Sequence, residues 1–244
     1  MPDSLNYAWE TLSDGVHRCR LPFLDVTVGL VRGAGRNLLI DCGTTLLEAA
    51  AIASDVEALS GGPVTHLVMT HDHFDHILGS AGFGEAALIG APAVGEALTT
   101  RIDGVRAHAV SYGADRGELD RAISAVRPLD HRLLHGDLDL GDRVVLVRHP
   151  GLGHTNHDLV AVVPPTVPQQ RAVVFCGDLV EESADPAIND ESDVSSWPAT
   201  LDRLLDLGGP AAVYVPGHGA VVDAEFVRRQ RDWLAGRSAS GDSP

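Results

Sequence analysis

The sequence predicts an α/β fold of two strand-rich halves, their sheets packed face to face with helices outside. Three observations predict it. Short β-branched and apolar runs recur in both halves of the 244-residue chain. Each half also carries segments of helical spacing, which must cover a sheet to bury their apolar stripe. Finally, four apolar runs end on a histidine or aspartate: HLVMT on His71, VVLVRHPG through Leu152-Gly153 on His154, AVVFCG on Asp178 and AAVYVPG on His218.

In chain order, Val16–Arg20, Val26–Arg32 and Asn37–Asp41 read as strands, with a GAG turn at 33–35. Thr44–Ser60 has helical spacing and stops at Gly61-Gly62-Pro63. Val64–Thr70 is a β-branched run suited to a buried strand. Ala87–Ile89 reads as a short strand and Pro92 opens a helix through Thr99. Residues 100–120 lack periodicity and read as a loop or cap bordering a pocket, with Tyr112 in its wall. Val144–His149, Leu159–Val163 and Ala172–Cys176 are strands, and PPTVPQQ at 164–170 is a turn. Pro198–Leu207 is a helix led by Trp197, whose ring should staple into the core. Ala211–Val215 is a strand and Asp223–Arg237 the last helix. The expectation is a single domain over residues 1–237, with a disordered tail at 238–244.

The formal net charge is −16 and every fixed side-chain cation is arginine, because the chain has no lysine. Phosphate neutralisation and anionic bilayers both need a basic face, so neither a nucleic acid nor a membrane is the expected partner. No apolar run reaches the ~20 residues that span a bilayer. Cys19, Cys42 and Cys176 are too few and too far apart for a disulfide framework, which fits a reducing compartment. The N-terminus shows no secretory pattern. Together these features predict a cytoplasmic protein acting on a small molecule.

The segment VMTHDHFDHILG, residues 68–79, places His71, Asp72, His73, Asp75 and His76 within six positions. Neither packing nor turn chemistry asks for that composition. At this histidine and aspartate content the pattern HxHxDH arises by chance about three times per thousand chains of this length. Metal chemistry accounts for it. In an extended segment His71 and His73 point to one side, where their imidazoles can pinch an ion with His154. Asp75 and His76 can face a second ion with His218, and Asp178 can bridge both. Two ions ~3.5–4 Å apart would hold a shared hydroxide and polarise a substrate, with Asp75 orienting the hydroxide.

These residues, together with LLIDCG at 38–43, resemble the metallo-β-lactamase superfamily over about residues 15–222. The resemblance implies a four-layer αββα sandwich of two mixed sheets flanked by helices. It also implies a dinuclear site, usually of zinc, with iron or manganese as alternative metals. Asp41 is implied to orient a ligand histidine. PGLGHTNHDLVAVVP, GDLV, WPATLDRL and VPGHG resemble the β-lactamase branch more than the thioesterase branch. Where those enzymes carry a lysine for the drug's carboxylate, this chain has Glu181, followed by Glu182, and a carboxylate there repels a carboxylate substrate. The expected activity is therefore metal-dependent hydrolysis of a small ester, lactone, thioester or lactam. A small-molecule phosphodiesterase and an iron-dependent redox enzyme are the alternatives. His157 is a candidate proton relay with Asp158 beside it, and Asn189 a candidate oxyanion donor. Cys176, two residues before Asp178, is expected on the same side of its strand. His17, His66, His108, His131, His135 and His149 carry no assigned role.

Overall fold

The computed structural model describes residues 5–240, with side chains to residue 238. The chain divides into two compact units: the first runs to Leu133 and adds Asp139–Arg143, and the second comprises Leu134–Leu138 and the chain from Val144.

In the first unit a seven-stranded sheet is ordered β1 (Glu10–Ser13), β2 (Val16–Arg20), β3 (Thr27–Arg32), β4 (Asn37–Ile40), β5 (His66–Val68), β6 (Ala87–Gly90) and β7 (His131–Arg132). β1 to β4 form an antiparallel meander, while β4 to β7 run parallel, so the sheet is mixed. All four residues of β4 are buried, as are five of the six in β3. That is why Val28–Val31 and Leu38–Ile40 are apolar throughout rather than alternating.

Helix α1 (Leu46–Ser60) links β4 to β5. It starts at a capping box: the Thr45 hydroxyl accepts from the Glu48 N–H, and the Glu48 carboxylate accepts from the Thr45 N–H at 2.9 Å. Midway along α1, buried Asp55 accepts from the Asn6 and Tyr7 N–H groups and from Trp9 Nε1, anchoring the chain that leads into β1. β1 is polar on the surface and carries no apolar alternation, which hid it from the sequence pattern.

A four-residue helix, α2 (Phe74–Ile77), continues into a 3-10 turn over Leu78–Gly82, and α3 is Pro92–Ala97. The stretch 100–120 is not a loop. It forms α4 (Ile102–Ser111) and the start of α5 (Arg116–Ala125). These helices bury only Ala109, Leu119 and Ala122, so their apolar stripe is too thin to show as periodicity. The start of α5 was legible in Asp115-x-x-Glu118, where the Asp115 carboxylate accepts from the Glu118 N–H at 2.9 Å.

In the second unit a five-stranded sheet runs β12 (Val213–His218), β11 (Val173–Glu181), β10 (Val160–Val163), β9 (Val144–Arg148) and β8 (His135–Asp139). β11 and β12 are parallel, and β9, β10 and β11 antiparallel. Helices α6 (Trp197–Gly208) and α7 (Ala224–Ser240) cover it. Trp197, Leu201, Leu204, Val227 and Leu234 join Val160, Val162, Val174 and Tyr214 in one apolar cluster. Trp197 is fully buried and its Nε1 donates to the Leu179 carbonyl at 3.1 Å. Residues 238–240, expected as tail, end α7, and 241–244 lie outside the described residues.

β11 departs from expectation. It does not stop at Cys176 but continues through Asp178 to Glu181, buried along all nine residues. Gly177, at φ +52, interrupts the register with β12. Cys176 packs in the apolar cluster under the helices, and the irregularity at Gly177 breaks the alternation that would have put Asp178 beside it.

Trp197→Ala should remove about 3–5 kcal/mol of stability, as large buried rings do, read as a fall in the denaturant midpoint. Leu47→Ala, at a side chain 67% exposed, should move the midpoint by less than ~0.5 kcal/mol equivalent.

Candidate metal centre

In the first unit, β4 and β5 are parallel neighbours, with Ile40 opposite Val68. Both chains leave the sheet together. Asp41 leaves with a left-handed φ of +58°, a conformation that a non-glycine residue holds only when its surroundings enforce it. Its N–H still donates to the Val68 carbonyl at 2.9 Å. Its buried carboxylate accepts three bonds: from the Thr70 N–H at 2.8 Å, the Thr70 hydroxyl at 2.9 Å and His76 Nδ1 at 2.9 Å.

Those bonds set two tautomers. The Thr70 hydroxyl has one proton and gives it to Asp41, so toward His71 Nδ1, 3.0 Å away, it can only accept. His71 and His76 therefore both carry their proton on Nδ1, and Nε2 is the donor atom each offers a metal. Both rings are fully buried. The His71 ring lies 4.6 Å from that of His73 and 4.3 Å from that of His76. Three imidazoles this close cannot all be charged, and the neutral form is the one that ligates. The shared side of His71 and His73 is the one the extended pattern predicts.

Asp72, between them, forms an ion pair with Arg101, which also donates to the Ala93 carbonyl at 3.1 Å. This buttress was missed in the sequence because Arg101 lies 29 residues on. His76 Nε2 stands 3.7 Å from Asp75 Oδ2.

The second unit holds His154, Asp178 and His218. The Ala187 carbonyl, 3.1 Å from His154 Nδ1, can only accept, so His154 too presents Nε2. That atom is 3.6 Å from Asp178 Oδ2, which is 3.3 Å from His218 Nε2. Separations of 3.3–3.7 Å match the edge of a tetrahedron with ~2.1 Å metal–ligand bonds, about 3.4 Å. Nitrogen and carboxylate donors with fixed tautomers, buried at that spacing, fit a divalent transition metal. Gly217 is required beside them, since a Cβ there would sit 1.9 Å from Asp178 Oδ1.

The remaining candidates are held by their own loops. Asp158 Oδ2 accepts from the Thr155 N–H at 2.7 Å, and His157 Nδ1 lies 2.8 Å from Asn156 Oδ1. Asn189 Oδ1 accepts from the Glu191 N–H at 2.8 Å, and its own N–H donates to Ser192 Oγ, which donates to the His154 carbonyl. Asn189 thus shapes the loop that carries His154. Glu181 Oε1 accepts from both the N–H and the hydroxyl of Ser183, at 2.8 and 2.7 Å. Burial pushes its carboxyl pKa up, while those bonds pull it down. Tyr112 lies against Phe74 and His108, and His108, given no role by the sequence, stands 5.6 Å from the His73 ring.

A family model described as the metallo-beta-lactamase superfamily matches residues 21–218. The acyl-coenzyme A thioesterase MBLAC2 of Gallus gallus is 28% identical over 251 residues, covering 91% of this chain and 84% of that protein. Metallo-beta-lactamase type 2 of Bacillus cereus is 26% identical over 209 residues, 84% of this chain and 72% of that one. Among solved structures, the metallo-β-lactamase FIM-1 of Pseudomonas aeruginosa in its mono-zinc form has a TM-score of 0.71 at 17% identity, covering 95% of this chain and 96% of that one. The metallo-β-lactamase DIM-1 has a TM-score of 0.72 at 16% identity, covering 94% and 97%. The fold class is the one the sequence predicts.

Asp41→Asn would leave one acceptor oxygen to face three donors. Metal affinity should fall about 10- to 100-fold, measured by competition with a chromogenic chelator; affinity within twofold of wild type would remove Asp41 from its orienting role.

Proposed function

The chain belongs to the metallo-β-lactamase superfamily, and we propose that it is a dinuclear metallo-hydrolase that cleaves a small carbonyl substrate: an ester, lactone, thioester or lactam. The observation that carries this reading is the fixed set of Nε2 donors and carboxylates in each unit, spaced as a coordination shell requires. The family match runs through both units, which supports treating them as halves of one domain with one centre. In that centre His71, His73 and His154 would hold one ion. Asp75, His76 and His218 would hold the other, and Asp178 would serve both. Zinc is the metal proposed, in line with the mono-zinc form recorded for FIM-1.

A bound pair of divalent cations supplies a water acidic enough to ionise near neutral pH and a Lewis acid for the carbonyl oxygen. The chain supplies the rest. Asp41, directly and through Thr70, holds His76 and His71 in the ligating tautomer. In this reading the Asp75 carboxylate would orient the attacking water, accept its proton and return it to the leaving group. Among lactam and acyl substrates we favour the acyl class. Glu181 stands where the drug-binding lysine of the resembled enzymes would be, and its engagement with Ser183 offers no cation to a substrate carboxylate. The three cysteines are free and buried, which supports a reducing cytoplasm. Among the described residues no helix is long and apolar enough to cross a membrane.

Purified protein reconstituted with zinc should hydrolyse small thioesters and esters and lose at least ~10²-fold in kcat/KM on chelation, with recovery on re-addition. His73→Ala and Asp178→Ala should each lower bound metal by elemental analysis as well as rate. Turnover of bis-p-nitrophenyl phosphate above that of every carbonyl substrate would transfer the assignment to phosphodiesters. Native protein carrying iron in place of zinc would favour redox chemistry.

A further inference from the structure

Beyond the ligand cluster, the first unit carries a continuous aromatic strip. The His73 ring meets His108 edge-on, with centroids 5.6 Å apart. His108 in turn stands edge-on to Phe74 at 5.4 Å and to Tyr112 at 5.1 Å. Phe74 tilts against Tyr112 at 5.7 Å and against Phe23 at 6.5 Å. Phe, Trp and Tyr make up only 5% of the chain, yet three of them gather beside one candidate ligand. Phe74 is buried, so the strip has a dry floor, while Tyr112 is 55% exposed. Among the described residues Tyr112 is the one aromatic side chain in the set of large apolar groups left exposed.

A second feature lies at the other end. Phe23 sits in a tight turn where two consecutive non-glycine residues, Leu24 and Asp25, hold left-handed φ values of 57° and 60°. The turn is clamped by the Arg20–Asp25 ion pair and by the Leu21 N–H donating to the Val26 carbonyl at 2.8 Å. Backbone strain of this kind gathers where a side chain must be presented, and here it carries the ring that packs against Phe74.

We infer that Phe23, Phe74, His108 and Tyr112 form a binding wall for a planar, uncharged part of the substrate, an aryl ring or conjugated acyl group adjoining the bond that is cleaved. The inference rests on the hydrolase reading for what the bound molecule undergoes, but not for its binding. The occupant follows from the wall. Its four side chains carry no fixed charge, and a chain of net charge −16 disfavours an anionic group. An aromatic lining favours another π system over a saturated chain of equal size. Continuity with His73 puts the occupant next to the reacting centre.

The test uses the N-acetylcysteamine thioesters of phenylacetic and cyclohexylacetic acids, matched in size but not in planarity, with the zinc-loaded full chain. Wild type should show kcat/KM about 5-fold higher for the phenylacetyl substrate, and both Tyr112→Leu and Tyr112→Ala should bring the ratio near one. In parallel, the same protein is titrated with N-benzylacetamide and N-(cyclohexylmethyl)acetamide while the ring protons of Tyr112 and His108 are followed by NMR. Ring-current shifts should appear with the benzyl amide alone and vanish in Tyr112→Leu. Equal ratios in wild type and variants, or shifts absent or equal for the two amides, would overturn the wall. Shifts with no turnover of any substrate would support the wall and sink the hydrolase reading.

Discussion

One buried carboxylate organises the histidine cluster of the first unit. Asp41 cannot be swapped for a neutral acceptor without stranding a donor, because three converge on it. A buried charge of this kind is tolerated only when fully bonded. Its left-handed backbone is the geometric price of pointing that carboxylate across to the neighbouring strand end. The return is that two imidazoles, His71 and His76, are locked in the same protonation pattern by a single group. The lock matters because an imidazole free to flip tautomer would offer its Nε2 only part of the time.

The second unit fixes its candidate donors differently. His154 is fixed by a backbone carbonyl, and Asp178 is carried inside a fully buried strand rather than at its end. Placing a carboxylate in mid-strand requires that something relieve the crowding. Gly177 does so by bending the register, and Gly217 by leaving room where a methyl group would collide with the carboxylate. Loop polar groups complete the support: Asn189 and Ser192 tie the His154 backbone, and Glu182 accepts from the Ala220 N–H just past His218. These contacts leave Asn189 and Glu182 shaping the chain around the ligands.

Much of this clustering was legible in the sequence because the candidate ligands lie close together in it or follow strands. HxHxDH announces itself by composition, and His154, Asp178 and His218 each follow an apolar run. β2 matched to the residue, although His17 and Arg18 interrupt its apolar signal. What escaped detection depended on long-range partners or thin stripes. The Asp72–Arg101 pair has no local signature. α4 and α5 bury one leucine and two alanines between them, which gives little contrast between faces. The role of His108 could not be read because it depends on α4 bringing that ring beside Phe74. The strand that carries Asp178 runs on past it, which the sequence hid because a strand containing a glycine and an acid looks as if it has ended.

The alternation His71-Asp72-His73 has a consequence for how this protein can be altered. His71 and His73 stand ring to ring while Asp72 between them pairs with Arg101, so lengthening or shortening that stretch by one residue would disturb both contacts at once. The exposed PPTVPQQ turn between β10 and β11 has no such parity to protect. A tether, affinity label or inserted reporter module belongs there, where the added chain would leave the frame of the histidine motif intact.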